Sequence, residues 1–463
     1  MKKVTTRIKW IFAIGQLGWS ILEGIIGNLL VNFYLPDKTG DGIINFITPK
    51  AIFLGLTIIG IITAAGRIVD AITDPLIASA SDSCKHKLGK RIPFLRYSAL
   101  PFALITVLIF CCPIHKESIW NVVWLTVTLV IFYISMTAYC TPYNALIPVL
   151  GREQKDRMDI STYISITYII GTGIAFSGKM IWEALYNATS IDYYTCARIV
   201  LGILALIALI CMLLPAFLIK ERDYDQSEPI KENTFKSLLK TFKNKHFRVF
   251  VLSDIIYWVG ITIFNTGFIY YVENLLGLKD KYMILFIFMT FITFIFYVPV
   301  NILTRKFGKK KPLIVGFMIF AVGFLISAFA GKVTFIPPLV YGFIICIFVG
   351  VPLAILGVIP QAIVADIAEE DAIVTKENHD GMFFAARTFA FKLGQSIAMI
   401  IFTSLAVIGQ FENSLGEIEN NGTGYRLSLI VALVLCIAAA IVIIFYDEKS
   451  VMKTINGEKN KDE

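Results

Sequence analysis

Two aspartates four residues apart are the feature of this sequence best suited to chemistry. Asp70 and Asp74 lie in the segment Gly-Arg-Ile-Val-Asp-Ala-Ile-Thr-Asp-Pro (66–75), inside an apolar stretch long enough to cross a membrane. Residues at this spacing share one face of a helix, and each carboxylate at membrane depth costs about 2.5 kcal/mol or more on insertion scales. The pair therefore predicts a site for a cation or a proton. Arg67, one turn earlier, supports an alternative, a buried Arg67–Asp70 ion pair that only holds helices together.

The residue after Asp74 adds to the case for an ion. Pro75 has no N–H group, so it frees a backbone carbonyl one turn earlier in the helix. Carboxylates and a free carbonyl suit a hard cation such as sodium, in which case Asp70 and Asp74 would be metal ligands. A carboxylate that takes up and releases a proton would instead serve proton coupling. Both ions stay open at this point.

The eleventh apolar segment carries two basic side chains. Lys392 lies about three turns into the span, too deep for its ammonium to reach the membrane surface easily. We expect it to face a wet cavity and bind substrate, or else to pair with an acid of another helix. Arg387 lies nearer the end, where we expect it to act as a gate residue with Asp366, Glu369 or Glu370.

Further polar side chains mark the first and fourth segments. Thr137 and Asn144 lie in the fourth, on either side of Pro142, where we expect the helix to be broken. Trp19 and Glu23 lie in the first. Glu23 would line the cavity that binds the substrate, or pair with a base across it.

The composition requires a membrane to hold these elements. The chain has 463 residues, of which 57 % are hydrophobic and only 16 % charged, and its mean hydropathy is +0.73. Soluble proteins carry about a quarter charged residues. We therefore predict an all-α polytopic membrane protein of twelve transmembrane helices with both termini on one side. The predicted spans are 10–34, 51–82, 94–114, 119–148, 160–187, 197–219, 247–276, 283–304, 312–330, 335–365, 381–410 and 425–446.

The basic residues predict which side that is. Lysines and arginines concentrate before the first span, after the last, and in alternate loops between them, so the positive-inside rule places both termini in the cytoplasm of a cell with the chain in its plasma membrane. The net charge of +8 is thus a topology signal. Nucleic acid is not expected as a partner, because the basic clusters are short and scattered.

A repeated turn indicates an internal duplication. Residues 87–93 read Lys-Leu-Gly-Lys-Arg-Ile-Pro and residues 306–312 read Lys-Phe-Gly-Lys-Lys-Lys-Pro, each between the second and third helix of its half. We predict two six-helix bundles that rock about a central substrate site. The predicted parts are an N-terminal bundle (1–219), a cytoplasmic linker (220–246), a C-terminal bundle (247–446) and a cytoplasmic tail (447–463).

Other function classes lack their sequence features. An enzyme would need a nucleophile with a base, or a metal set, at membrane depth, and the four histidines lie in or beside loops. A sensor would need a folded signalling domain, for which the linker and tail are too short. No cofactor is expected beyond the coupling ion.

Several of these motifs together resemble one family. The motifs are Arg67–Pro75, the turn 88–93, the run Pro-Tyr-Asn-Ala-Leu-Ile-Pro at 142–148, Val-Ala-Asp-Ile at 364–367, and Thr388 with Lys392. In combination they resemble the melibiose permease group, the glycoside–pentoside–hexuronide:cation symporters of the major facilitator superfamily.

The resemblance implies roles for individual residues. Asp70 and Asp74 match the family's cation-binding aspartates, and Thr137 matches a threonine at the cation site. Thr388 and Lys392 match residues near the sugar and cation sites. The major facilitator fold is implied with them.

The sequence departs from the family pattern at positions where melibiose permeases have residues that bind the sugar. Cys140 stands where melibiose permeases have an aspartate that touches sugar and cation, Asn144 replaces a tryptophan, and Trp19-Ser20 replaces a Lys-Asp pair. Melibiose itself is therefore not the expected substrate. We expect a cation-coupled symporter, driven by sodium or protons, for a glycoside, oligosaccharide or uronide, with Trp19, Glu23 and Asn144 among its substrate contacts. A carrier of a lysolipid or another amphiphile is the alternative.

Overall fold

The computed structural model describes residues 4–36, 42–53, 56–151, 154–224, 241–279, 281–375, 380–412 and 418–462. Its elements, in chain order, are α1 (Thr6–Tyr34), β1 (Ala51–Phe53), β2 (Leu56–Thr57), α2 (Ile58–Asp82), α3 (Ile92–Ile109), α4 (Ile119–Ala145), α5 (Ile147–Leu150), α6 (Gln154–Ala188), α7 (Tyr193–Leu218), α8 (Lys245–Tyr270), α9 (Tyr282–Phe307), α10 (Lys310–Ala328), α11 (Pro338–Thr375), α12 (Asp380–Ala406), β3 (Gln410–Glu412), β4 (Ile418–Asn420), α13 (Thr423–Ile444) and α14 (Glu448–Asp462). A 3₁₀ turn (Glu221–Asp223) follows α7 and a π-helical turn (Tyr271–Leu275) follows α8.

The predicted fold class is confirmed. Within the described ranges, twelve helices have 18 residues or more and correspond in order to the twelve predicted spans. Eleven of those helices are long and apolar enough to cross a membrane. The remaining long helix is α2, whose centre carries Arg67, Asp70 and Asp74. These three charged residues lower the mean hydropathy of α2, and they are the residues of the predicted ion site and its alternative ion pair.

The boundaries of several helices differ from the predicted spans. Residues 51–57, predicted as the start of the second helix, contain the antiparallel strands β1 and β2, and Thr57 caps α2 by accepting a hydrogen bond from the Gly60 N–H at 3.4 Å. The fourth helix continues through Pro142 and ends at Ala145, so the expected break lies at Leu146 rather than at the proline. The tenth helix, α11, runs ten residues beyond the predicted 365 because helix-forming residues follow the apolar run.

The chain divides into two compact units. The first comprises Met1–Glu232 with Phe411–Glu419, and the second Asn233–Gln410 with Asn420–Glu463. The main division falls inside the segment 220–246 that was predicted as a linker, of which residues 225–240 lie outside the described residues. The predicted domain limits stay a prediction.

The first repeated turn is held by a buried glutamate. Gly89 has φ +119°, a conformation that L side chains rarely adopt. Glu221, which is 1 % exposed, accepts hydrogen bonds from the backbone N–H groups of Arg91 at 2.8 Å and Ile92 at 3.0 Å. These amides belong to the start of α3, where backbone donors lack partners within the helix. A carboxylate is favourable there because the helix dipole is positive.

The second repeated turn is built the same way. Gly308 has φ +79°, and Glu448 accepts hydrogen bonds from the N–H groups of Lys309 at 2.6 Å and Lys310 at 3.0 Å at the start of α10. In each unit the glutamate follows the sixth long helix, so the similarity extends beyond the sequence motif. Both turns thus use the same device, and the duplication itself stays a prediction.

Close helix contacts in the first unit depend on small residues. A Cβ added to Gly18 of α1 would lie 2.5 Å from the Ala208 carbonyl oxygen of α7, and one added to Gly24 would lie 2.7 Å from Ala175 of α6. Small residues at such crossings let membrane helices approach closely. They fix α1, and with it Trp19 and Glu23, against α6 and α7.

Candidate ion and substrate site

The helices α2 and α4 meet at a glycine. A Cβ added to Gly66 would lie 2.5 Å from the ring of Tyr133, so only glycine lets the ring pack directly on the α2 backbone. One turn farther along each helix come Asp70 and Thr137. The contact at Gly66 thus sets the register in which the next turns of α2 and α4 face each other.

Two carboxylates of α2 are each hydrogen-bonded by a threonine of α4. The Thr137 hydroxyl donates to Asp70 Oδ1 at 2.7 Å, and the Thr141 hydroxyl donates to Asp74 Oδ1 at 2.8 Å. Both partners step by four residues, one helical turn, so the two pairs form successive rungs between parallel helices. Asp70 is completely buried and Thr137 is 1 % exposed, whereas Asp74 and Thr141 are half-buried. We call these four residues the carboxylate–threonine ladder.

A third hydroxyl lies between the rungs. Thr73 Oγ1 is 3.2 Å from Thr137 Oγ1, and it also donates to the Val69 carbonyl at 2.9 Å. Across the described ranges, no three His, Cys, Asp or Glu side chains are grouped as a metal site would need. The oxygens that the ladder and Thr73 bring together are those of two carboxylates and three hydroxyls.

Arg67 makes an ion pair with the first helix. Its Nη1 lies 3.8 Å from Glu23 Oε1, and its guanidinium stands 5.3 Å from the centre of the Tyr133 ring, a cation–π distance. Both side chains are partly shielded, with 12 % and 26 % exposure for Arg67 and Glu23. The structure thus pairs Glu23 with Arg67, and the alternative Arg67–Asp70 ion pair stays a prediction.

The other predicted substrate residues of the first unit lie apart from the ladder's hydrogen bonds. Trp19 is half-buried and its ring centre is 6.2 Å from that of Tyr168. Asn144 is exposed, one turn beyond Cys140 on α4. Their predicted substrate contacts stay predictions.

Lys392 and Thr388 belong to the second unit, on α12. Both are half-buried; the Thr388 hydroxyl donates to the Phe384 carbonyl at 3.0 Å, and the Ser396 hydroxyl donates to the Lys392 carbonyl at 3.0 Å. Phe391, which precedes Lys392 in the chain, stacks its ring on Trp258 with centres 4.8 Å apart. Residues 388–392 of α12 thus carry a hydroxyl, an ammonium and one ring of an aromatic pair.

The predicted gate role of Arg387 and Asp366 stays a prediction, and in this structure each of the two pairs with another residue. Arg387 instead forms a bidentate ion pair with Asp254 of α8, with Nε–Oδ2 and Nη2–Oδ1 distances of 2.8 and 3.1 Å. The two side chains are 7 % and 3 % exposed. A guanidinium and a carboxylate match in such a two-pronged geometry, and neither is stable in an apolar interior without the other.

Asp366 has a different basic partner. Its Oδ2 lies 2.5 Å from Lys309 Nζ, which also donates to the Ala362 carbonyl at 3.1 Å. Lys309 belongs to the second repeated turn, so this ion pair connects the turn to α11. Any gating role of Arg387 or Asp366 would have to act through these partners.

Sequence reasoning missed Asp254 as a functional candidate, and it identified Thr141 only as an oxygen donor of the fourth helix, without its partner Asp74. Thr141 follows Thr137 at the spacing that separates Asp70 from Asp74, and this matching period was the signal that could have identified the pairing. Asp254 is an acidic residue within the apolar run 247–276, which by itself marks a side chain that needs a partner.

Comparison with known proteins places the chain among transporters. The family described as "MFS/sugar transport protein" matches residues 11–448. A putative sulfoquinovose importer of Escherichia coli is 25 % identical over 99 % of this chain and 96 % of its own length. The sodium-dependent lysophosphatidylcholine symporter 1 of Xenopus tropicalis is 23 % identical over 87 % of this chain and 81 % of its own length.

A solved structure shows the same fold. The inward-open xylose transporter XylE from Escherichia coli superposes with a TM-score of 0.65 at 14 % identity, over 97 % of this chain and 99 % of that one. The family match covers nearly the whole chain, and its members are transporters rather than enzymes. The chain is therefore an integral membrane transporter that belongs to the MFS/sugar transport protein family.

Proposed function

We propose that this protein is a cation-coupled symporter, driven by sodium or protons, that imports a glycoside, oligosaccharide or uronide across the plasma membrane, with both termini in the cytoplasm. One observation carries the proposal: Asp70 and Asp74 are each hydrogen-bonded by a hydroxyl of α4 at 2.7 and 2.8 Å inside a membrane helix. Two carboxylates at such depth are costly unless a positive charge binds there.

The threonine contacts support a coupling ion at the ladder. A carboxylate oriented by one hydroxyl keeps lone pairs with which it can bind a cation, and both Asp70 and Asp74 are oriented in this way. The ion would use Asp70, Asp74 and Thr137. The driving gradient would then act through the occupancy of this site.

Each unit, taken by itself, contains side chains suited to a substrate. Lys392 and Thr388 supply an ammonium and a hydroxyl suited to a hydroxylated or acidic sugar. In the first unit, Trp19, Glu23 and Asn144 supply an aromatic surface and polar groups, as ligand sites commonly do. The name of the sulfoquinovose importer, a full-length relative, favours a sugar or sugar acid.

An amphiphilic substrate is the second candidate. A relative named as a sodium-dependent lysophosphatidylcholine symporter aligns over 87 % of the chain. Its identity of 23 % is close to the 25 % of the sulfoquinovose importer, so a lysolipid substrate has similar support. Cys140 and Asn144 stand where the melibiose permeases have polar and aromatic sugar contacts, and their replacement is compatible with either substrate.

Uptake assays separate these possibilities. Cells that express the protein are given labelled glycosides, pentosides, uronides and lysophosphatidylcholine, each under sodium, lithium or proton gradients. The proposal predicts concentrative uptake of a sugar or sugar acid that collapses when the gradient is removed. Gradient-driven uptake of lysophosphatidylcholine alone would select the second candidate, and gradient-independent equilibration of every solute would reject coupling.

A further inference from the structure

We propose that the exposed surface formed by α3 and α7, at the end next to the first repeated turn, binds an anionic phospholipid by its phosphate. Three features of the first unit carry this proposal: a guanidinium held one turn into α3, exposed basic side chains at the same end, and exposed apolar rows along both helices. The proposed lipid site shares no residue with the ladder or with the predicted substrate contacts, so it goes beyond the proposed function.

Two arginines tie α3 to α7 at opposite ends. Arg96, one turn into α3, donates from Nη2 to the Ala216 carbonyl near the end of α7 at 3.1 Å. Arg198, in the second turn of α7, donates from Nε to the carbonyl of Phe110, the residue after α3, at 3.1 Å. The start of each helix thus lies beside the end of the other, so the two helices run antiparallel and present one continuous surface of membrane length.

The guanidinium of Arg96 keeps donors for a further acceptor. It stands 4.1 Å from the centre of the Phe217 ring, a cation–π contact, and Phe217 itself is 56 % exposed. A guanidinium has five N–H groups; Ala216 accepts from one of them, and Nε has no hydrogen-bond partner among the described residues. Because the ring and the carbonyl hold the cation in place, a phosphate can bind it without displacing Ala216, and the planar guanidinium suits phosphate geometry.

Basic side chains lie at the same end of the surface. Arg222 donates from Nη2 to the His86 carbonyl at 3.0 Å, so the segment after α7 lies against the first repeated turn. The two acids of that segment, Glu221 and Asp223, are buried and half-buried. The exposed basic side chains of the turn and the segment are Lys85, Lys87, Lys220 and Arg222. Basic clusters beside membrane helices bind the head groups of anionic lipids.

Apolar rows extend from this basic end along both helices. Side chains that are more than half exposed recur at steps of three, four or seven residues, so those of each helix share one face. On α3 they are Tyr97, Leu100 and Leu104, and on α7 they are Ile203, Leu206, Ile210 and Phe217. Two neighbouring apolar faces thus offer contacts to the acyl chains of a phospholipid whose head group lies at Arg96.

Charge and polarity together select the occupant. A soluble anion would use the basic end and leave the apolar rows without a partner, and a zwitterionic phospholipid would bring its own cation to a basic surface. A second copy of the chain in the same membrane, related by a two-fold axis, would bring two identical basic ends together, and like charges repel. An anionic phospholipid matches both the basic end and the apolar rows.

The test measures lipid binding by the purified full-length protein in detergent. Native mass spectrometry gives the bound fraction as dioleoylphosphatidylglycerol or dioleoylphosphatidylcholine is titrated, with glycerol phosphate as the soluble competitor. Arg96→Gln removes the guanidinium, and Lys220→Gln removes an exposed charge of the same end. Arg198→Gln is the matched control, because it removes the same kind of side chain and the equivalent tie at the other end of the same two helices.

The proposal predicts that Arg96→Gln weakens phosphatidylglycerol binding at least about fivefold, the effect of one basic residue at an anionic membrane surface. Lys220→Gln should weaken it in the same direction, Arg198→Gln should leave it unchanged, and phosphatidylcholine should bind the wild type and all variants alike. Unchanged phosphatidylglycerol affinity in Arg96→Gln, or an equal loss in Arg198→Gln, would overturn the proposal.

Two further outcomes are decided by the same titrations. If Arg96→Gln misfolds and loses both phospholipids, Lys220→Gln decides, and an unchanged phosphatidylglycerol affinity in that variant overturns the proposal. Displacement of phosphatidylglycerol by glycerol phosphate would assign the basic end to a soluble anion and would reject the lipid site.

Discussion

The buried ion pair between Arg387 and Asp254 allows a prediction whose size follows from its geometry. The side chains are joined by two hydrogen bonds of 2.8 and 3.1 Å at 7 % and 3 % exposure. Asp254→Ala would leave the guanidinium buried without its carboxylate, which costs about 3–5 kcal/mol. Replacing both partners, as Asp254→Leu with Arg387→Met, removes the desolvation cost together with the attraction. The double variant should therefore lie within about 1 kcal/mol of the wild type.

Reversible unfolding in mixed micelles measures this double-mutant cycle. Ser253→Ala is the control, because Ser253 is the buried neighbour of Asp254 and loses one neutral hydrogen bond, to the Ala439 carbonyl at 2.9 Å; about 1 kcal/mol is expected. The reasoning fails if Asp254→Ala costs no more than this control, or if the double variant is as unstable as the single one.

Three further predictions follow from local geometry. Gly66→Val should lose about 1–3 kcal/mol of stability and most gradient-driven accumulation, because the added Cβ would lie 2.5 Å from the Tyr133 ring. An unchanged unfolding temperature together with unchanged uptake would contradict this prediction. Gly89→Ala should cost about 1–3 kcal/mol through its φ of +119° and the close approach of Glu221, and wild-type thermal stability would argue against that turn geometry. Burial raises the pKa of Cys112, between α3 and α4, to about 11. A variant with Cys112 as its single cysteine should therefore react slowly with maleimide at pH 7, and its reaction rate should rise about tenfold per pH unit until the pH approaches this pKa. A reaction rate that levels off near pH 8 would refute the raised pKa.

Sequence patterns predicted the elements that local spacing determines. Apolar runs of membrane length indicated the helices, and the four-residue spacing placed Asp70 and Asp74 on one face of α2. The strands at 51–57 were missed, because a short apolar run does not distinguish strand from helix. The end of α4 was misplaced because neighbouring helices let a proline such as Pro142 remain inside a membrane helix.

Partners across helices were the part that sequence could not supply. Arg387 was recognised as needing an acid, but pairing with Asp254 depends on how α8 packs on α12, which no single segment encodes. Asp366 likewise pairs with Lys309 because the second repeated turn is folded back by Glu448. Thr137 was matched to the cation site by resemblance, whereas the pairing of Thr141 with Asp74 emerged only when the register of α2 and α4 was visible.

Ion-driven accumulation in proteoliposomes tests the central claim most directly. Wild type, Asp70→Asn and Asp74→Asn are reconstituted and given an imposed sodium or proton gradient with the substrate found by the uptake panel, and each is checked for folding by its unfolding temperature. The account predicts concentrative uptake by the wild type, and only equilibration down the substrate gradient by both variants. Undiminished accumulation by both folded variants would show that the coupling ion is bound elsewhere.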